Sequence, residues 1–500
     1  MSSVRLRKTN INFTEGPLFG KMLAFVLPLI ATSLLSNLYH VADKVVVGQF
    51  SGDDFALGAI GSTTFFSSLI TNFMIGMGSG VGVVFSQIHG SGDKVAMKRA
   101  VPTAFILGLL TAAVMTVVGY FTMNPILTLL NTKEVYFDGA IKYLVITFTG
   151  LIGVGIYNIG GSILRGVGDS KTPLLIGTIS GAVNVVLNVV FVVGFGMSLE
   201  GVAIATVISQ YYSAVHVLVC IYKRKNEPYH ATHKDIVFDK KLCARMMRLG
   251  IPNGLQSACF SITNLLTTWA VNSFPATHVT ARSIALDIDH IVSAFVSAFA
   301  TVAMTSVGQN YGAKKPDRVK KSLVLSMVQA LVMSFVVSTV MYIFRAEIAA
   351  LFVSADTEGY DEIIKATVEW SGVMLPLYFI QGVLQSVSGS VRGMGYSVSA
   401  LLANLIGTCG TRILWVLVVF PLEPFHNFAG LALLYPASWA ATGLLLSIIC
   451  IVAMVNFAKK FKNVPVEGAA EASGEEVEKI EFAEGETIEI TGEAASEAEK

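Results

Sequence analysis

Long apolar runs alternate with short polar connections along the chain, and the lengths of the runs decide what they are. A helix needs roughly 20 consecutive, mostly apolar residues to cross a membrane. Met22 to Ala42 is the first such run. It is followed by Phe55 to Gly92, Ala100 to Thr132, the stretch before Arg165, Thr172 to Leu199 and Gly201 to Tyr222. A second set starts near Leu249 and runs to Asn272, then continues from about Val279 to Gly308 and from Ser322 to Phe344. Trp370 to Val391, about Gly395 to Phe420, and Phe428 to Phe457 complete it. The pattern predicts an all-α integral membrane protein with about twelve transmembrane helices. A polar segment, 1–20, precedes a first six-helix lobe at 21–222. A cytoplasmic linker at 223–248 leads to a second six-helix lobe at 249–458. Residues 459–500 turn rich in Glu, Ala and Gly, cannot bury enough apolar surface to fold, and read as a disordered acidic cytoplasmic tail.

Composition agrees with this division and excludes several functions. Of 500 residues, 53% are hydrophobic and only 14% charged, with a mean hydropathy of +0.65. A soluble domain carries roughly 25% charge, so most of this surface must face lipid. Cys220, Cys243, Cys259, Cys409 and Cys450 are scattered without CxxC spacing, so neither a disulfide framework nor a zinc site follows. The net charge of +1 hides an imbalance: from Val464 onward there are twelve Glu against two Lys, leaving an excess of basic residues on the rest. That excess lies in alternate connections: Arg5, Arg7 and Lys8 before helix 1, Lys94, Lys98 and Arg99 after helix 2, and Arg165 and Lys171 after helix 4. The linker, the connections after helices 8 and 10, and the end of helix 12 repeat it with Arg245, Lys314, Arg392 and Lys459. Basic loops stay cytoplasmic, which puts a multi-pass protein in the cell's inner (plasma) membrane with both termini in the cytoplasm. No nucleic-acid partner is expected.

The two lobes read as copies. SQIHGSGDKVAMKRA after helix 2 lies over GQNYGAKKPDRVKKS after helix 8, matching Gln87 to Gln309 and Gly90 to Gly312. LRGVGDS after helix 4 lies over VRGMGYS after helix 10, pairing Arg165 with Arg392 and Gly166 with Gly393. Six helices per copy keeps both in one orientation, related by a pseudo-two-fold axis along the membrane normal, with a V-shaped cleft between them. Arg165, Asp169 and Arg392 read as braces for their loops. Gly76, Gly78, Gly80 and Gly82 sit in an apolar run with no preceding strand, so they point to close helix packing and not to a phosphate loop.

With NLYHVADKVVVGQFSG, ILRGVGDSKTP, NVVLNVVFVVGFGMSLEGVAIATVISQ and GQNYGAKKPDRV in this order, the chain resembles the multidrug and toxic compound extrusion (MATE) transporters over roughly residues 15 to 460. The resemblance implies export of organic cations and other amphipathic small molecules in exchange for protons or sodium ions. It also implies no enzyme activity and no cofactor beyond the coupling ion, and a monomer whose other partner is the lipid bilayer.

Charge at membrane depth is costly and is a functional hypothesis by default. Asp43 is the sharpest case, on helix 1. The resemblance places the amino-terminal-lobe cation site at Asp43, Asn184, Asn188 and Thr206, with sodium at Asp43, Asn184 and Asn188 or a proton on Asp43 both open. Asn184 and Asn188 are one helical turn apart and project from one face. In the second lobe no carboxylate stands at the positions where one family branch has acids, near Phe260 or Ser261 and at Gln381. Asp287, Asp289, Gln381 and Arg412 form the candidate second-lobe polar set, with Arg282 and Asp289 on one stripe expected to pair. Ion coupling is therefore expected in the first lobe. Tyr39, Phe66, Met74 and Phe260, with Trp269, Met304 and Tyr378, are the aromatic and Met candidates for the cleft lining. A lipid-linked glycan flippase of similar two-lobe shape is the rival reading, and it would need a strongly basic cleft.

Overall fold

A computed structural model describes residues 10–50, 55–230, 237–354 and 356–461, together with two short strands near the carboxyl end. The first lobe contains α1 (Leu18–Phe50), α2 (Ala56–Ser91), α3 (Lys94–Leu129), α4 (Glu134–Thr149), α5 (Leu151–Gly166), α6 (Lys171–Asn188) and α7 (Leu199–Lys223). The second contains α8 (Lys240–Val271), α9 (Ala276–Gly312), α10 (Pro316–Ile343), α11 (Arg345–Ala350), α12 (Tyr360–Met374) and α13 (Tyr378–Gly393). It ends with α14 (Ser397–Asn404), α15 (Thr411–Leu414), α16 (Phe428–Ala432) and α17 (Leu434–Phe461).

Several of these are pieces of one span. α4 and α5 are long and apolar enough only together, bent by 47° at Gly150. α12 and α13 join through a 3₁₀ turn at Leu375–Leu377, where Pro376 withholds a backbone donor. α14 and α15 continue through π-helical turns at Leu405–Gly410 and Trp415–Val419. Among the described residues, ten helices qualify as spans by length and composition, and the bent pair makes eleven. α8, 32 residues long but diluted by Ser, Thr, Asn and Gln, is the twelfth. Its start at Lys240 precedes the expected Leu249 because Asp239 caps it, accepting from the amides of Lys241 and Leu242. Within the segment expected to lack structure, β1 (Lys479–Phe482) pairs antiparallel with β2 (Glu486–Glu489). The other residues of that tail beyond Phe461, like 1–9 of the amino-terminal segment and 231–236 of the linker, lie outside the described residues.

The lobes meet along α2 and α8. A Cβ at Gly76 would collide with the Gly254 backbone, and one at Gly80 with that of Gly250. Gly78 and Gly82 face the other way, onto Ser162 of α5. The four glycines thus serve two helix contacts, as their helical spacing implies. Toward the end that carries the basic loops, the repeat-related glutamines exchange bonds across the seam. Gln87 Nε2 donates to the Gly393 carbonyl at 2.7 Å and Gln309 Nε2 to the Gly166 carbonyl at 3.0 Å. Arg245 also donates to Gln87 Oε1.

Residues 10–17 lie across this seam as a strap. The Ile11 amide donates to Gly168 O of the first lobe at 3.0 Å. The fully buried Phe13 donates its amide to Gln309 Oε1 at 2.9 Å and accepts from Asn310 Nδ2 and Arg318 Nη2 of the second lobe. Its ring meets Phe25 edge-on at 5.5 Å. Asp169, fully buried, accepts from the Thr172 amide at the start of α6 and pairs with Arg224 at 2.7 Å. Burial opposes the Arg224 charge, but the bonds to Asp169 and Tyr229 outweigh it and push the guanidinium above its ordinary range. The brace expected of this loop is therefore made by Asp169.

Candidate functional site

Two polar arrangements interrupt the apolar interior. In the first lobe, Asn188 Nδ2 donates to Asp43 Oδ1 at 2.5 Å and approaches Asn184 Oδ1 at 3.5 Å, while Asn184 Nδ2 reaches Thr206 Oγ1 at 3.4 Å. Three helices, α1, α6 and α7, so deliver one connected set, and all four residues expected there are in it. Asn184 and Asn188 are buried, and Asn188 Oδ1 has no hydrogen-bond partner among the described residues. Asn188 is also the last residue before α6 passes into a π-helical stretch at Val189–Gly194. Such a stretch changes which side chains face inward and recurs at functional sites. Tyr39, one turn before Asp43, donates to Thr178 O at 3.0 Å and its ring lies against Gly181. A carboxylate, two amides and a hydroxyl form an all-oxygen set suited to a hard monovalent cation, or to a carboxyl that takes up a proton.

The second arrangement is a cavity of about 860 Å³ between the lobes. Asp289, Gln381, Arg412 and Phe260 line it, with Met304 and Tyr378. The other expected lining residues do not. Phe66 and Met74 are packed in the first-lobe core, Tyr39 is turned onto α6, and Trp269 is 66% exposed on the outside. An aromatic or Met pattern cannot distinguish these environments. Asp287 is exposed and outside the lining, as its position about 200° from Asp289 on α9 requires.

The expected Arg282–Asp289 pair is absent among the described residues. Asp289 Oδ1 accepts from Tyr378 OH at 2.9 Å. Arg282 instead donates to Tyr435 OH, with its guanidinium 4.9 Å from the Trp370 ring centre. Sharing a stripe does not suffice when aromatic neighbours offer the guanidinium a stacking surface. Arg412 stacks at 4.4 Å on the same Tyr435 ring and donates to Asn264 Oδ1 at 3.2 Å. Arg165 and Arg392, expected as loop braces, line the cavity. Arg165 donates to Ser162 Oγ and Arg392 to Ser388 O, each within its own helix. Sequence reasoning paired these two arginines by repeat but gave them no access to the cleft.

Comparisons with known proteins place this geometry. The MatE family model matches residues 28–190 and 252–418, one stretch in each lobe. The Bacillus subtilis proteins "Probable multidrug resistance protein YoeA" and "Probable multidrug resistance protein YpnP" are similar to it. The first is 25% identical, covering 85% of this chain and 92% of its own. The second is 26% identical, covering 79% and 87%. A solved MOP superfamily transporter from Pyrococcus furiosus superposes with a TM-score of 0.78 at 18% identity, over 91% of this chain and 98% of its own. With both lobes matched by one family model, the chain belongs to the MatE family of multidrug and toxic compound extrusion transporters.

Proposed function

We propose that this protein is a secondary active antiporter that exports amphipathic small molecules through the central cavity by alternating access, in exchange for protons or sodium ions taken up at Asp43. The observation that carries the coupling site is the connected set Asp43–Asn188–Asn184–Thr206, with its buried, unpartnered Asn188 oxygen. By the positive-inside rule the basic end is cytoplasmic. The glutamine exchange and the strap close that end, so the arrangement described here is the outward-facing one. Binding an ion or proton at Asp43 changes what α1 and α6 hold between them, and can shift the lobe only by as much as the ion prefers one of its two shapes. Uptake of a fluorescent substrate into proteoliposomes, driven separately by imposed proton and sodium gradients, tests the reading on wild type and Asp43→Asn. Gradient-driven transport is expected to vanish in the variant with substrate binding retained. Full ion-driven transport by Asp43→Asn would refute the coupling site.

A further inference from the structure

The charges that face the cavity are unbalanced. Arg165, Arg392 and Arg412 line it against a single carboxylate, Asp289, which already accepts from Tyr378. Among the described residues, none of the three guanidiniums stands within salt-bridge distance of a carboxylate. Arg412 is only 5% exposed, and its partners are the neutral Ser438 and Asn264. Guanidinium groups held this way retain donors for a ligand, and their planar fork matches carboxylate and phosphate oxygens two at a time. Arg165 and Arg392 are related by the internal repeat, so the two lobes present equivalent cations to one space. The cavity lining also holds Phe260, Tyr378 and Trp439, which add apolar surface. An organic cation entering here would meet like charge in a poorly screened site, whereas an anion would be drawn to it.

We infer that the central cavity binds water-soluble amphipathic anions, aromatic carboxylates or phosphates, with Arg165, Arg392 and Arg412 as the groups that receive the charge. This rests on the cavity being the substrate site of the antiporter. It departs from the organic cations that the family resemblance implies. Both Arg165 and Arg392 sit near the carboxyl ends of their helices, where a cation also stabilises the helix dipole. The test must therefore read ligand charge, which a purely structural arginine would not affect.

Four probes of one shape separate the possibilities: 1-naphthoate, 1-naphthyl phosphate, 1-naphthylmethanol and 1-naphthylmethylamine, titrated by calorimetry onto the full chain in nanodiscs. The two anions are expected to bind at least tenfold tighter than the alcohol, and the amine weakest. Arg165→Gln, Arg392→Gln and Arg412→Gln should each weaken the anions about tenfold and leave the alcohol unchanged. Arg392→Lys should restore much of the loss, and Asp289→Asn should tighten the anions. If the amine binds tighter than the anions, or the Gln variants keep wild-type anion affinity, the inference fails even if a variant misfolds, because the wild-type ranking stands alone. Displacement of 1-naphthyl phosphate by polyprenyl phosphate in the nanodisc, but not by 1-naphthoate, would overturn it in favour of a lipid anion. If cationic drugs are exported while the anions do not bind, the inference fails and the antiporter reading survives. If neither class binds or moves, both fail.

Discussion

At the scale of single residues, the amino-terminal-lobe set is the part of the site most legible in the sequence. Asp43 was conspicuous because a carboxylate in an apolar run demands a reason, whereas Asn184, Asn188 and Thr206 came from the family resemblance, with one-turn spacing giving the two amides a shared face. Asn188 contributes a charge-assisted bond to Asp43, and such bonds are worth about 1.5–3 kcal/mol. Asn188→Ala is expected to change the apparent coupling-ion affinity by about tenfold or more, downward for sodium, which loses a ligand oxygen, and upward for a proton, because the lost bond favoured the ionised carboxylate, read from the ion dependence of gradient-driven uptake. An unchanged dependence would remove Asn188 from the site. Asp169 behaves differently, since its carboxylate is buried and Arg224 is mostly covered. Breaking a buried pair by removing one partner costs about 3–5 kcal/mol. Asp169→Ala should therefore lower the melting temperature of the detergent-solubilised protein markedly, and the protein that stays folded should keep its ion dependence.

At the scale of helices, periodicity showed where the spans are and missed how they are interrupted. The bend at Gly150, the π-helical turns after Asn188 and around Thr411, and the 3₁₀ turn at Pro376 arise from neighbours that re-satisfy backbone groups. Apolar run length carries no trace of them. Close packing of α2 on a neighbour was legible because only glycine permits such an approach, but the identity of that neighbour, α8, was not. Gly80→Val should force the two helices apart at Gly250, at a cost of about 1–3 kcal/mol for overpacking. Cys243, buried on α8 toward the basic end, supplies a native reporter. Its labelling by a maleimide, followed by mass spectrometry, should speed up in the variant, and an unchanged rate would show that the crossing does not hold the base closed.

At the scale of the whole molecule, two lobes built from one repeat close against each other with equivalent residues. Gln87 and Gln309 each donate one bond across the seam, worth about 1 kcal/mol net, and each accepts a second, Gln87 from Arg245 and Gln309 from the Phe13 amide. Gln87→Ala and Gln309→Ala should each raise the population open at the basic end by about fivefold, measured as spin-label distances across that face. Effects that differ by tenfold between them would contradict the equivalence. The membrane class and the two-lobe architecture were readable from apolar runs and matched polar positions. The strap was not, because residues 10–17 show no period and their partners lie some 300 positions away. The lining of the cavity was equally hidden, since an arginine at a helix end looks the same whether it faces a loop or a cleft.

That strap also sets an order of events during synthesis. Phe13 leaves the ribosome among the first residues, yet the side chains that receive it, Gln309, Asn310 and Arg318, follow 296 to 305 positions later. At about 5–20 residues per second the interval is tens of seconds. Throughout it the first lobe can be inserted and packed, while its leading segment has contacts within that half, to Lys21, Phe25 and Gly168, and still lacks its second-lobe partners. The newborn lobe is in that sense an unlocked half, and arrival of α9 and α10 is the step that turns two insertions into one machine.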